Sequence, residues 1–193
     1  LLKANLGRFD VVLSDKRGTE VLAGNGVTPR HPFPLYSQIT PWHHLHGNDG
    51  PAVEREIDVA YVGSLNTASH RMRAHFLERL ARMSDRYRVV MLEGVHGSEY
   101  GRLLSRAKLV FNYSHRGELN LRVFETLACG AVPLLEEGNG EVRDWFTDGE
   151  DILLYNGENF EERVSALLED APRLEAMTRR CRARAPAFAG ENR

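Results

Sequence analysis

Arg122 and Glu125 stand three positions apart in a segment that reads as the first turns of a helix following an apolar strand run. A helix that starts at a strand end points the unpaired N–H groups of its first turn into the mouth of a cleft, where the dipole favours an anion. An arginine in that turn adds a planar fork of donors suited to phosphate oxygens. Glu125, one turn on, is poorly placed for phosphate and well placed to accept from the two hydroxyls of a ribose. Together they describe a site for a nucleoside diphosphate. The same spacing also suits an exposed i, i+3 ion pair, and the residues alone leave both readings open.

Other candidates surround this pair. Gly63 follows a β-rich run, reads as a turn, and lets a phosphate approach the backbone. His96 ends another strand, either as a structural histidine or as a residue facing the base or sugar of a nucleotide. His115 and Arg116 lie in the polar loop just before the helix, where they either contact the same ligand or face solvent. His43, His44 and His46 sit in a proline-rich stretch without the i, i+4 spacing of a preformed metal site, and no Asp-x-Asp pair occurs. No metal site is therefore expected. The P-loop pattern is absent, and neither Gly24-Asn25-Gly26 nor Gly138-Asn139-Gly140 completes G-x-G-x-x-G, because Pro29 and Arg143 take the third glycine's place. Neither a P-loop ATPase nor an NAD-binding protein is indicated.

The elements that must position these residues alternate. Residues 57–62, 87–92, 109–113, 131–135 and 151–155 read as strands, and residues 70–83, 98–105, 120–129, 159–169 and 173–184 as helices. Strands alternating with helices and lacking period-2 polarity predict a doubly wound parallel sheet of the α/β class, covered on both faces. Ligands of such sheets bind beyond the carboxyl ends of the strands, so the loops that matter are residues 63–69, 93–97, 114–119 and 136–140. In the helix of residues 120–129, Asn120 is the expected N-cap and Gly130 the left-handed residue past its end. Val123, Phe124, Leu127 and Ala128 form its core face; Arg122, Glu125, Thr126 and Cys129 form an expected polar face. The helix of residues 70–83 turns Met72, Phe76, Leu80 and Met83 inward at helical spacing. The basic run 179–184 reads as an exposed helix face.

Upstream, residues 9–13 and 18–23 read as a strand and a short helix, the tail of a preceding α/β domain over residues 1–40. Prolines 32, 34, 41 and 51 mark a connector, with residues 41–56 as the linker and 57–193 as the ligand-binding domain. A chain of 193 residues, 42% hydrophobic and 27% charged, supports a buried core. Its net charge of −2 gives no general attraction to nucleic acid. No apolar run approaches the ~20 residues of a transmembrane helix. The start at Leu1 carries no signal-peptide pattern and reads as a truncation, and two distant cysteines, Cys129 and Cys181, suit a reducing compartment, the cytoplasm.

The segment NLRVFETLACGAVPLLEE, residues 120–137, with Asp148-Gly149-Glu150-Asp151 and Leu153-Leu154-Tyr155 after it, resembles the C-terminal, donor-binding domain of GT-B glycosyltransferases. It is most similar to the bacterial group that includes the spore-maturation CgeB-like proteins, over about residues 57–184. The resemblance implies transfer of a sugar from a nucleotide diphosphate sugar, a UDP-sugar by analogy, to an acceptor held by an N-terminal domain, without a metal cofactor. It assigns the ribose to Glu125 and the pyrophosphate to the amides of Leu121 and Arg122. The first glutamate of related retaining families falls eight positions before Glu125, on Gly117, with Glu118 one residue later as the candidate for the donor sugar. The loop Val62-Gly63-Ser64-Leu65 matches the glycine that approaches the phosphate, with Ser64 where an arginine is frequent. A second cation about eight positions on corresponds to Arg71, with Arg73 in reserve. A non-catalytic nucleotide-binding or assembly module of a spore or envelope complex is the alternative that Ser64 and the shifted Glu118 leave open.

Overall fold

The computed structural model describes residues 12, 14–28, 54–66 and 70–188. The expected strand at 9–13, the linker and the three histidines lie outside or almost wholly outside these residues. The upstream helix is α1, Lys16–Ala23, capped by Asp15, whose carboxylate accepts from Gly18 N–H.

From residue 57 the chain runs β1 (Ile57–Val62), α2 (Arg71–Arg82), β2 (Val89–Leu92), α3 (Gly97–Ser105), β3 (Ala107–Phe111), α4 (Leu121–Ala128), β4 (Val132–Glu136), α5 (Val142–Trp145), β5 (Leu153–Tyr155), α6 (Phe160–Glu169) and α7 (Ala171–Arg184), with short 3-10 turns at Met83–Asp85 and Ala185–Phe188. The five strands form one sheet in the order β2-β1-β3-β4-β5, and every neighbouring pair is parallel. The expected doubly wound sheet is present. Its winding reverses between β1 and β3, and at such a switch point the diverging crossovers leave a crevice beyond the strand ends.

Alternate residues of the central strands enter opposite cores. Val59, Tyr61, Leu109 and Phe111 pack with Phe76, Leu77 and Leu80 of α2 and with Phe160 of α6. Ala60, Val62 and Val110 pack with Leu103 and Leu104 of α3. This two-sided burial accounts for the near-continuous apolar strands.

Two sequence expectations need correction. Met72 is 55% exposed, because it precedes the part of α2 that lies on the sheet; Ala74, Phe76, Leu77 and Leu80 make that contact. The supposed polar face of α4 is mostly interior. Thr126 and Cys129 are buried, the first bonding its hydroxyl to Arg122 O at 2.6 Å and the second lying in the α3-side core. A third reading holds only in part: Arg179 and Arg180 are exposed, whereas Arg184 pairs with buried Asp151 and lies over the rings of Phe146 and Phe188.

Candidate nucleotide site at the sheet switch point

Helix α4 is set by its two ends. Asn120 is the N-cap with extended backbone, as expected, but its side chain makes no capping bond. It forms a reciprocal amide pair with Asn112 at the end of β3, at 2.8 and 3.0 Å. Leu121 and Arg122 N–H are the first two donors of the helix, ahead of its i→i−4 ladder, so the cap leaves them directed beyond the β3 end. At the other end Gly130 has φ +69°, and a Cβ there would fall 2.4 Å from Arg182 Nε. Arg55 donates to Cys129 O at 3.0 Å, which places a cation at the negative pole of the helix.

Arg122 turns toward the cleft floor. Its Nη1 donates to Asn112 Oδ1 at 3.0 Å, and its guanidinium lies 5.2 Å from the centre of the Tyr61 ring. Its Nε is buried without a hydrogen-bond partner among the described residues. Gly63 closes this arrangement: a Cβ would sit 2.8 Å from both Arg122 Nη2 and Tyr61 Oη. The close approach explains why glycine stands there.

Glu125 turns instead to α3, accepting from Tyr100 Oη at 2.8 Å. Burial raises its pKa, against the lowering pull of the Tyr100 bond and the Arg122 charge. Burial and the facing carboxylate push the Tyr100 phenol well up, so it remains a donor.

A cavity of about 600 Å³ joins these residues. Gly63, Ser64, His96, Tyr100, Arg122 and Glu125 line it, with the Glu93-Gly94-Val95 loop forming its far wall. Five of the eight site residues expected from sequence thus meet in one place, and Leu121 lies at the adjoining helix start. The other two are elsewhere. Arg71 is exposed in the first turn of α2 and does not line the cavity. Its neighbour His70 faces His115 across a 3.2 Å Nδ1–Nδ1 contact, and burial, then Arg73 and His115, lower the His70 pKa. Arg73, the reserve cation, keeps a buried Nη2 without a partner among the described residues. Glu118 lies in a separate cavity of about 310 Å³, with Asp15, Lys16, Arg17, Glu20, Arg116 and Glu141 among its lining. There it accepts from Arg116 N–H at 2.9 Å. Tyr61, Tyr100 and Asn112 escaped the sequence reading, because a tyrosine in a strand or helix and an asparagine past a strand end carry no motif.

The sequence model of a family described as glycosyl transferase-like matches residues 44–188, three quarters of the chain. The chain belongs to the glycosyl transferase-like family. No curated protein matches it. Solved structures of similar fold are glycosyltransferases. One is the pneumococcal O-GlcNAc transferase GtfA in complex with UDP and GlcNAc, at 12% identity and TM-score 0.62, covering 98% of this chain and 44% of that one. Another is sucrose-phosphate synthase from Thermosynechococcus elongatus, at 18% identity and TM-score 0.64, covering 98% of this chain and 57% of that one. A third is the C-terminal domain of a group 1 family glycosyl transferase from Francisella tularensis, at 7% identity and TM-score 0.55, covering 78% of this chain and 99% of that domain. The chain spans about half the length of the first two. For this glycosyl transferase-like chain the likeness establishes the Rossmann-like fold of the GT-B class.

Proposed function

We propose that the chain is the donor half of a metal-independent glycosyltransferase and holds a nucleotide diphosphate sugar, a UDP-sugar, in the cavity between Gly63 and Glu125. The observation that carries this reading is the convergence of a helix start, the Arg122 guanidinium and a half-buried carboxylate around one cavity at the switch point. Glu125 takes the ribose hydroxyls, the α4 amides and Arg122 take the diphosphate, and His96 stands on the base side. The bond from the anomeric carbon to the β-phosphate oxygen breaks as one to the acceptor oxygen forms. Positive charge and dipole at the α4 start then stabilise the diphosphate that leaves. Similar solved structures support the donor class, since GtfA is in complex with UDP and GlcNAc and Anabaena HepE with UDP-glucose. The acceptor belongs to the N-terminal half, and the motif of residues 120–137 supports a CgeB-like member. Titration calorimetry with UDP, GDP and their sugars tests the reading: micromolar to millimolar binding of one nucleotide series supports it, and heat for none defeats it.

The place of Glu118, in a cavity apart from Arg122 and Glu125, favours a second reading in which nucleotide is bound and not turned over. Donor hydrolysis or transfer by the whole protein separates the two.

A further inference from the structure

Asn112 directly follows β3 and is 1% exposed. Its backbone is fixed on two sides: the N–H donates to Leu134 O of β4 at 2.8 Å, and the carbonyl accepts from Tyr155 Oη of β5 at 2.9 Å. The side chain is therefore delivered from a rigid point of the sheet. Its Oδ1 accepts twice, from Arg122 Nη1 and from Asn120 Nδ2, both at 3.0 Å, and its Nδ2 donates to Asn120 Oδ1 at 2.8 Å. A guanidinium can only donate, so Arg122 decides which end of the Asn112 amide is oxygen, and the orientation of the Asn120 amide follows.

The network bears on charge as well as on direction. The group that orients Arg122 is a neutral amide, and the carboxylate of Glu125, one turn along α4, bonds Tyr100 instead at 2.8 Å. Arg122 Nε is buried with no hydrogen-bond partner among the described residues. A guanidinium drawn partly out of water in this way favours an anion in the cavity that it lines. The helix start is kept open by the same pair. An asparagine at the N-cap ordinarily turns its side-chain oxygen onto an amide of its own first turn. Asn120 makes no such bond, and its oxygen accepts from Asn112 Nδ2. Its carbonyl accepts from Val123 N–H at 3.2 Å, so the cap leaves the N–H groups of Leu121 and Arg122 uncovered.

We propose that Asn112 and Asn120 are positioning residues for the diphosphate: paired amide to amide, they hold the Arg122 guanidinium and the start of α4 in place while neutralising neither. The proposal rests on the donor-binding reading and adds to it that the pair must be uncharged. A carboxylate at either position fits nearly the same space and still accepts hydrogen bonds, but it sets a negative charge where the phosphates meet the protein.

Asn112→Asp and Asn120→Asp test this on the full chain at pH 8, with UDP followed by calorimetry and uridine by competition. Each variant is expected to bind UDP about tenfold or more weakly and uridine within about twofold of the wild type. Folding should respond differently. The helix dipole favours an acid at the N-cap, so the thermal midpoint of Asn120→Asp is expected to hold or rise while its UDP affinity falls. A merely structural support would lose stability and both ligands together. UDP affinity equal to that of the wild type in the carboxylate variants overturns the proposal and leaves the donor reading standing. A parallel loss of UDP and uridine with a lowered midpoint also overturns it. Asn112 is buried; if Asn112→Asp does not fold, Asn120→Asp decides on the same criteria. A wild type that binds no nucleotide overturns the donor reading, and the positioning role with it.

Discussion

Tyr100 in α3 and Glu125 in α4 meet at 2.8 Å across 25 residues of sequence, so a phenol from one helix orients the carboxylate that the other presents to the cavity. Both groups are largely removed from water, and a carboxylate held this way keeps its direction when a ligand arrives. The i, i+3 neighbour Arg122 points instead to Asn112 and Tyr61. The two residues therefore turn to different partners along the wall of one cavity.

Glu125→Gln is expected to weaken UDP binding roughly tenfold or more, about 1.4 kcal/mol. A carboxylate accepting from two hydroxyls makes charge-assisted bonds worth about 1.5–3 kcal/mol each at most. For a 2′,3′-dideoxy nucleotide the loss should largely vanish. Equal UDP affinity of both proteins in calorimetry would end the ribose assignment.

Gly63→Ala places a methyl 2.8 Å from Arg122 Nη2 and Tyr61 Oη. Tyr61 is fully buried, so the arginine is the group that moves. UDP affinity should drop by about tenfold or more with an unchanged far-ultraviolet spectrum, since the lost contacts to phosphate are charge-assisted. Unaltered affinity would show that Arg122 and Gly63 do not share the phosphate.

Arg122→Ala should separate the phosphates from the nucleoside. Loss of about 1.5–3 kcal/mol is expected for UDP and almost none for uridine. A uniform loss for both ligands in competition binding would mean that the substitution disturbs the cavity rather than the diphosphate.

Divalent metal should be dispensable. Nucleotide affinity in excess EDTA is expected to match that in Mg²⁺ or Mn²⁺, because the α4 start and Arg122 already supply positive potential. Binding abolished by EDTA and restored by metal would contradict the proposed charge stabilisation.

Global stability should carry the mark of Glu136. Its folded pKa of about 7 lies above the ordinary 4.5, so the neutral group's contribution is complete below 4.5 and is lost as pH rises through 7. The loss is on the order of 3 kcal/mol from a shift of that size. Chemical denaturation of wild type and Glu136→Gln at pH 5 and pH 8 should show the wild type losing more; parallel losses would place the titration elsewhere.

The order of elements was legible because strand runs and helix periodicity are local properties. Residues 57–62 and the helix beginning after Asn120 needed no partner to be recognised, and neither did Gly130 past its end. Glu125, Arg122 and Gly63 were legible for a related reason: in a parallel α/β unit, position after a strand already implies position at the cleft. What the sequence could not decide was which side chains meet across elements. Thr126 and Cys129 read as a polar face, and only the packing of α3 and the α7 arginine beside α4 made that face interior. Glu118 read as a candidate for the donor sugar, and only the tertiary structure, with its loop tied by Asn139 and Glu141, places it in a cavity apart from Glu125. Glu136 read as a residue in a loop, yet burial and one unmatched oxygen make it an acid poised near neutrality. Periodicity and motif spacing are set along the chain, whereas desolvation and hydrogen-bond partners are set by residues far away in it, so the first set is read from sequence and the second is decided by tertiary structure.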